Sequence, residues 1–361
     1  MNPRQSFAPF GAPRQRGITL VEMMVAMVVG LILMVGIVQL FVSNKQAYRI
    51  QEGANVLNEN ARYLMNQMQF NLRMADHWGG VEADDVEIDG DIGTIDDDCD
   101  GEAAALRASG IFGVDGEAAS PLDCIPASDY VPNSDIVIVR FADPVRVPSG
   151  KVAEREEEVF VRSAVGRRSI VFQGENLGDL PSDLTPEEAD AETVEDEAAV
   201  QADVANYQLR TFVYFLRPCA SQDLGTPGIC DAEDDNIPTL ARLSLQGLAM
   251  VEQDVIAGVE QMQLAYGIDD NNDRSPDRYL SAEDVTDADD WDKVIDVKLS
   301  VLIRNTELDT TANTSDEELA TYTLYGGDAG DGVTHEVPVE DRRYRRKVFN
   351  TSIQIRNMTR G

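Results

Sequence analysis

The chain has 361 residues, with 30 Lys and Arg against 65 Asp and Glu, a formal net charge of −35. That balance excludes the basic footprint by which proteins hold nucleic acid, so no direct nucleic-acid binding is expected. Hydrophobic residues make up 43% of the chain, enough to build a core, which separates it from a disordered acidic polymer.

Residues 1–17 carry Arg4, Arg14 and Arg16 and no acid. From Ile18 to Val42 the only polar side chains are Thr19, Glu22 and Gln39. A run of roughly 20 apolar residues is what a helix needs to cross a bilayer, and arginines beside such a helix stay on the cytoplasmic side. The expectation is a single-pass membrane helix with the large C-terminal part outside the cytoplasm. Glycines at 30 and 36 weaken the helix locally, each by about 1 kcal/mol relative to Ala.

An ordinary secretory signal places its small-residue cleavage site after the apolar stretch; here Gly17 stands before it. Glu22 puts a carboxylate inside the apolar helix, at about 2.5–3.5 kcal/mol if placed centrally, so it calls for a partner. Two readings are open. One is an uncleaved anchor with Glu22 hydrated near the interface; the other is cleavage, giving a new α-amine that Glu22 of a neighbouring copy neutralises in a dry helix bundle.

Ala47, Ile50, Ala54, Leu57, Ala61, Leu64 and Met68 recur at spacings of three and four and make one apolar stripe. The helix is therefore expected to run from Ile18 to about Ala75, roughly 87 Å, with its second half packed on a sheet, and to break at Gly79–Gly80. Residues 82–102 hold eleven acids and no base, which reads as a solvated loop, and residues 183–203 hold nine acids and no base, an insertion loop or exposed helix. Short apolar runs predict strands over 136–141, 159–161, 169–172, 209–216, 240–245, 259–266, 294–303 and 348–355. Little helical patterning lies between them, so the sheet should be largely antiparallel and the fold α+β.

Cys99, Cys124, Cys219 and Cys230 suit an oxidising compartment. Of the three pairings, the local ones, Cys99–Cys124 and Cys219–Cys230, are preferred because each staples a loop rich in Asp, Gly and Pro; four unpaired thiols are the alternative. Asp269, Asn271, Asp273, Ser275 and Asp277 alternate oxygen-bearing side chains as a calcium loop does, but Arg274 stands where an EF-hand needs Gly and Leu280 where it needs Glu. Calcium there is weighed against a plain acidic hairpin loop; no other cofactor is implied. Only two histidines occur, and no nucleophile elbow or phosphate loop, so the chain is expected not to be an enzyme. Arg342, Arg343, Arg345, Arg346 and Lys347 cluster near the C-terminus, where neutralisation within the fold or docking to an acidic neighbour are both consistent.

The stretch Gly17-Ile18-Thr19-Leu20-Val21-Glu22, after a basic leader and before an apolar helix, resembles the signal of type IV prepilins and type II pseudopilins. The runs 259–269, 294–301 and 345–357, with Tyr279 and Trp291, resemble the PilW type of minor pilin; residues 80–200 carry no such likeness. The resemblance implies a type IV pilin-like fold and cutting between Gly17 and Ile18 by a prepilin peptidase, with N-methylation of Ile18 and an assembly role for Glu22 beside Thr19. It departs from many pilins in starting with Ile18 rather than Phe and in having Gln39 where a Pro is common. The implied organisation is a leader (1–17), a membrane or fibre-core helix (18–42), an amphipathic second half (43–78) and a β-rich periplasmic or extracellular domain (79–361). Acidic loops are expected at about 80–130, 180–205 and 269–292. Implied partners are other minor pilins, the major pilin and the inner-membrane assembly platform, with the chain in the inner membrane before assembly and on the surface pilus after it. The implied role is initiating or promoting pilus assembly at the tip, and so twitching motility, adhesion or DNA uptake. The alternatives are a J-type minor pseudopilin of type II secretion and a signal-anchored periplasmic domain that binds calcium or adheres.

Overall fold

A computed structural model describes residues 17–181, 184, 204–222, 228–231, 233–309, 314–315, 319–325 and 332–358. Residues 1–16 of the leader, and all of the acidic 183–203 segment except Leu184, lie outside the described residues. The chain divides into two compact units, residues 1–52 and 53–361, each taken by itself.

The first unit consists of the opening part of α1 (Leu20–Met74), helical through Gly30 and Gly36 without interruption. Nearly every side chain from residue 18 to residue 52 is exposed, among them Leu31, Ile32, Leu33, Ile37 and Phe41. An 18-residue window of mean hydropathy 2.8 is long and apolar enough to cross a membrane. A helix apolar on all sides cannot be stable facing water, because each such side chain forgoes about 1.5–3 kcal/mol of burial.

In the second unit α1 continues with a different pattern. Leu57, Ala61, Leu64, Met68 and Leu72 are buried on one face, while Ala54, which the stripe included, is exposed, as are its Ala47 and Ile50 in the first unit. The helix stops earlier than the paired glycines. Asp76 takes a left-handed φ of 64°, and Asn357 Nδ2 donates to the carbonyls of Arg73, Met74 and Ala75 at 3.4, 3.3 and 3.0 Å. A short polar residue that tolerates this backbone ends the helix, and a side chain from the far end of the chain satisfies its last carbonyls.

Eight strands form the first sheet: β1 (Val86–Ile88), β2 (Ile111–Val114), β3 (Ile136–Val147), β4 (Val159–Ala164), β5 (Arg168–Gln173), β6 (Val204–Arg217), β7 (Thr239–Gln246) and β8 (Ala249–Ala257). Their order is β1-β5-β4-β6-β3-β2, with β7 joining β6 and β8 joining β7; only β1–β5 is parallel. Gly258, at φ 92°, is the single residue between β8 and the second sheet. That sheet comprises β9 (Val259–Ile268), β10 (Arg278–Leu280), β11 (Val294–Arg304) and, after a small hairpin of β12 (Thr321–Leu324) and β13 (Val333–Glu336), β14 (Arg346–Gln354). It is antiparallel in the order β10-β9-β11-β14. Short helices α2 (Ser149–Val152) and α3 (Ala282–Ala288) sit in connections.

All eight expected strands form. Six more were not foreseen (β1, β2, β8, β10, β12 and β13), and of these all but β8 have three or four residues. Period-2 patterning over so short a span is indistinguishable from a loop, and β8 reads MVEQDVI, too polar for a buried strand.

Alternation along the strands divides the apolar content into separate cores. Val137, Val139 and Phe141 of β3 pack with the α1 stripe and with Leu264, Val297 and Leu299 of the second sheet. Ile136 and Ile138 face the other way, into a cluster with Trp78, Ile95, Ala105, Ile125 and Tyr130. The first sheet is thus covered on both faces. Segment 81–130 is not a solvated loop but the second cover: Ile95, Cys99, Ala103 and Ala105 are buried while Asp96, Asp97, Asp100 and Glu102 face outward and the half-buried Asp98 accepts from the Cys99 and Ala105 N–H groups. Gly110 is required where this cover meets the helix end, since a Cβ there would lie 2.2 Å from the Asp76 nitrogen.

Candidate functional site

The N-terminal end of α1 is closed by its own residues. Thr19 is the residue before the first helical turn and Glu22 is the third within it. Glu22 Oε2 accepts from the Thr19 backbone N–H and hydroxyl, both at 2.9 Å, while Thr19 Oγ1 accepts from the Glu22 N–H at 3.3 Å. This is the reciprocal capping box that Thr-x-x-Glu encodes, and it satisfies donors that otherwise have no partner in an apolar medium. The Thr-x-x-Glu spacing carries that signal, whereas the expectation was for Glu22 to be hydrated near the interface or to pair with the amine of a neighbouring copy. The geometry shows that Glu22 has a local partner as well. Gly17 is exposed, and a Cβ built there would meet nothing within 4 Å, so the fold makes no demand for glycine at that position.

The cysteines are joined as Cys99–Cys124 and Cys219–Cys230. The first bond lies within the 81–130 cover, whose other fastening is Arg140. This β3 arginine is fully buried and donates to the carbonyls of Glu102 (2.7 Å), Ala104 (2.6 and 3.0 Å) and Ser109 (3.0 Å). Burial lowers its pKa to about 9, and the nearby Arg107 adds to the effect, which leaves it charged at neutral pH. Nothing in the sequence singled it out, because an isolated Arg in a strand usually faces water.

Asp135 and Asp76 are carboxyls that burial pushes well above the usual range. Burial raises Asp135 to about 7, although it accepts from the N–H groups of Leu264 (2.7 Å) and Gly116 (2.9 Å); Asp115 and the buried Tyr266 hydroxyl are its electrostatic neighbours. Because the Asp135 N–H also donates to the Met262 carbonyl at 3.0 Å, this residue ties the start of β3 to β9. Asp76 is raised to about 7 by the same cause and accepts from Trp78 Nε1 at 3.0 Å.

The five alternating residues at 269–277 occupy the β9–β10 hairpin connection. Asp269 accepts from the N–H groups of Asn271, Asp273 and Arg274, Asn271 accepts from the Asp273 N–H, and Asp273 accepts from the Ser275 N–H. Asp277 accepts from the Asp270 N–H and the Asn271 amide. These carboxylates are engaged with the loop's own backbone. Among the described residues no three acids, histidines or cysteines are grouped to hold a metal ion.

The C-terminal basic cluster is engaged within the fold. Arg345 pairs with Asp309 at 2.6 Å, and Arg346, fully buried, forms a two-point pair with Glu260 beside Arg304 and the Tyr344 ring. Arg342 donates to the Val337 carbonyl and Lys347 to Asn58.

Two family models match the chain. Residues 229–357, which run from just before β7 through β14, match Type IV Pilus-assembly protein W, and residues 12–38 match the Prokaryotic N-terminal methylation motif. No curated protein and no solved structure matches it. The two matched stretches are the second sheet with its approach strands and the capped apolar helix end, and over these stretches the chain is similar to PilW and to prepilin-type N-termini.

Proposed function

We propose that the chain is a non-enzymatic minor pilin, a subunit that initiates or promotes type IV pilus assembly near the tip and so supports twitching motility, adhesion or DNA uptake. In this reading a prepilin peptidase cuts between Gly17 and Ile18, Ile18 is N-methylated, and residues 18–42 span the inner membrane until the subunit enters the fibre. The observation that carries it is the helix end. An apolar helix exposed on all sides begins three residues after a glycine that the fold does not require, inside a stretch matching the methylation motif. Glycine there is then explained by an enzyme that reads it. The capping box gives the Glu22 carboxylate local hydrogen-bond donors in the resting subunit, and the new amine of a neighbouring copy offers it a charged partner on assembly. The match over 229–357 supports the pilus over the type II pseudopilus. The partners in this reading are other minor pilins, the major pilin and the inner-membrane platform.

The test is the mass and N-terminal sequence of the protein from membranes of cells with and without prepilin peptidase, for wild type and Gly17→Ala. The expected result is a methylated Ile18 terminus that needs both the enzyme and Gly17. An intact leader in every strain would overturn the reading and leave a membrane-anchored domain.

A further inference from the structure

β6 changes partners along one edge, pairing with β4 up to Gln208 and with β7 from Phe212 onward. At this fork the first sheet opens a cleft of about 450 Å³, within the size range of sites for small organic ligands. Arg155, Arg210 and Arg242 line it, with Glu158 the single acid, in a chain where acids outnumber bases 65 to 30. A local excess of positive charge on so acidic a protein attracts anions and is screened by salt.

The three arginines differ in what they already hold. Arg155 Nε donates to Glu158 at 2.7 Å, and Arg210 pairs with Asp143 at 3.0 Å. Arg242 has neutral partners. Its Nε and Nη2 donate to Gln253 Oε1 at 3.0 and 2.9 Å, Nη1 reaches the Tyr214 hydroxyl at 3.5 Å, and the guanidinium lies 4.5 Å from the Phe212 ring centroid. Among the described residues it is the one cleft arginine with no carboxylate partner. Its orientation is fixed by an amide and an aromatic face, which lowers the entropy lost on meeting a ligand while leaving its charge uncompensated.

We propose that this cleft binds an acidic saccharide, with Arg242 meeting a carboxylate or sulfate ester and the neighbouring amides and Ser244 hydroxyl meeting ring hydroxyls. A planar guanidinium matches either oxyanion at two points. Gln208, Ser244, Gln246 and Gln253 make most of the remaining wall polar and neutral, beside Phe212 and Leu245, which suits a ligand dense in hydroxyls with an apolar ring face better than a lipid or an apolar peptide. The inference concerns the folded domain alone and stands whether or not the chain enters a fibre.

The experiment is calorimetric titration of the full-length protein, in a detergent without a sugar headgroup, with an oligogalacturonate, a heparin-derived oligosaccharide of equal length, a neutral malto-oligosaccharide and inorganic sulfate. At least one acidic oligomer binds, more weakly as salt rises, and whether the carboxylated or the sulfated one binds identifies the oxyanion. Arg242→Gln weakens that binding about tenfold or more, Arg155→Gln weakens it less, and Arg278→Gln, outside the cleft, leaves it unchanged, all with unaltered thermal midpoints. The proposal is overturned if neither acidic oligomer binds the wild type, if the neutral oligomer or sulfate binds as tightly, or if folded Arg242→Gln binds as wild type does.

Discussion

The two halves of α1 share a backbone conformation and almost nothing else. From Leu20 to Val42 the helix is apolar around its circumference and exposed; from Gly53 it buries one stripe against strands of both sheets and leaves its other faces, including Val56, Tyr63 and Phe70, exposed. The second half finds its apolar solvent within its own chain. The first half does not, so lipid or other copies of such helices must supply it. Helicity is therefore no guide to role here; what each half is packed in decides it.

The sharpest way to break this comparison is to make the same substitution in both halves. Leu64→Ala, at a fully buried position, should destabilise the domain by roughly 3–5 kcal/mol, whereas Leu33→Ala, at an exposed one, should leave its thermal midpoint unchanged. Equal effects measured by thermal unfolding of the full chain in detergent would show that the halves are not distinct.

A second contrast lies between the two covers of the first sheet. On one face the helix stripe holds by apolar burial; on the other, segment 81–130 holds by a smaller apolar cluster, the Cys99–Cys124 bond and the Arg140 hydrogen bonds. Arg140→Met should cost roughly 2–4 kcal/mol, because the carbonyls of Glu102, Ala104 and Ser109 lose their donor while buried. Hydrogen exchange should rise in residues 95–109 before it rises in 57–72. Simultaneous loss of protection in both segments would mean that the covers unfold as one.

A third expected effect is a pH dependence. Asp135 is raised to about 7 in the folded chain, against an ordinary carboxylate value near 4 when unfolded, so between those values the folded state binds the extra proton. Its contribution to stability is fully present below about pH 4 and lost as pH rises through 7. Relative to Asp135→Asn, the wild type should gain stability on acidification from pH 7 to pH 4; parallel pH profiles of the thermal midpoint would sink the assignment. Taking the difference removes the general relief of acidic repulsion that protonation brings to a chain of net charge −35.

The sequence by itself determined the features that depend on neighbours along the chain. The apolar run from Ile18, the Gly-Ile-Thr-Leu-Val-Glu motif, the α1 stripe from Leu57 to Met68 and eight of the nine longer strands are legible in neighbours along the chain, the stripe and the strands through periods of 3.6 and 2, which are local geometry. The preference for local cysteine pairing was local in the same sense. What only the tertiary structure decided depends on residues far apart. The acids of 82–102 hid a buried set of apolar residues whose partners on β3 come about forty positions later. The end of α1 is set by Asp76 and by Asn357, 283 residues after Met74. Arg140, Asp135 and Arg242 look like ordinary surface charges until the fold fixes what surrounds them. The cost of burying a charge and the value of its partners are properties of a site in three dimensions, and no window along the chain contains them.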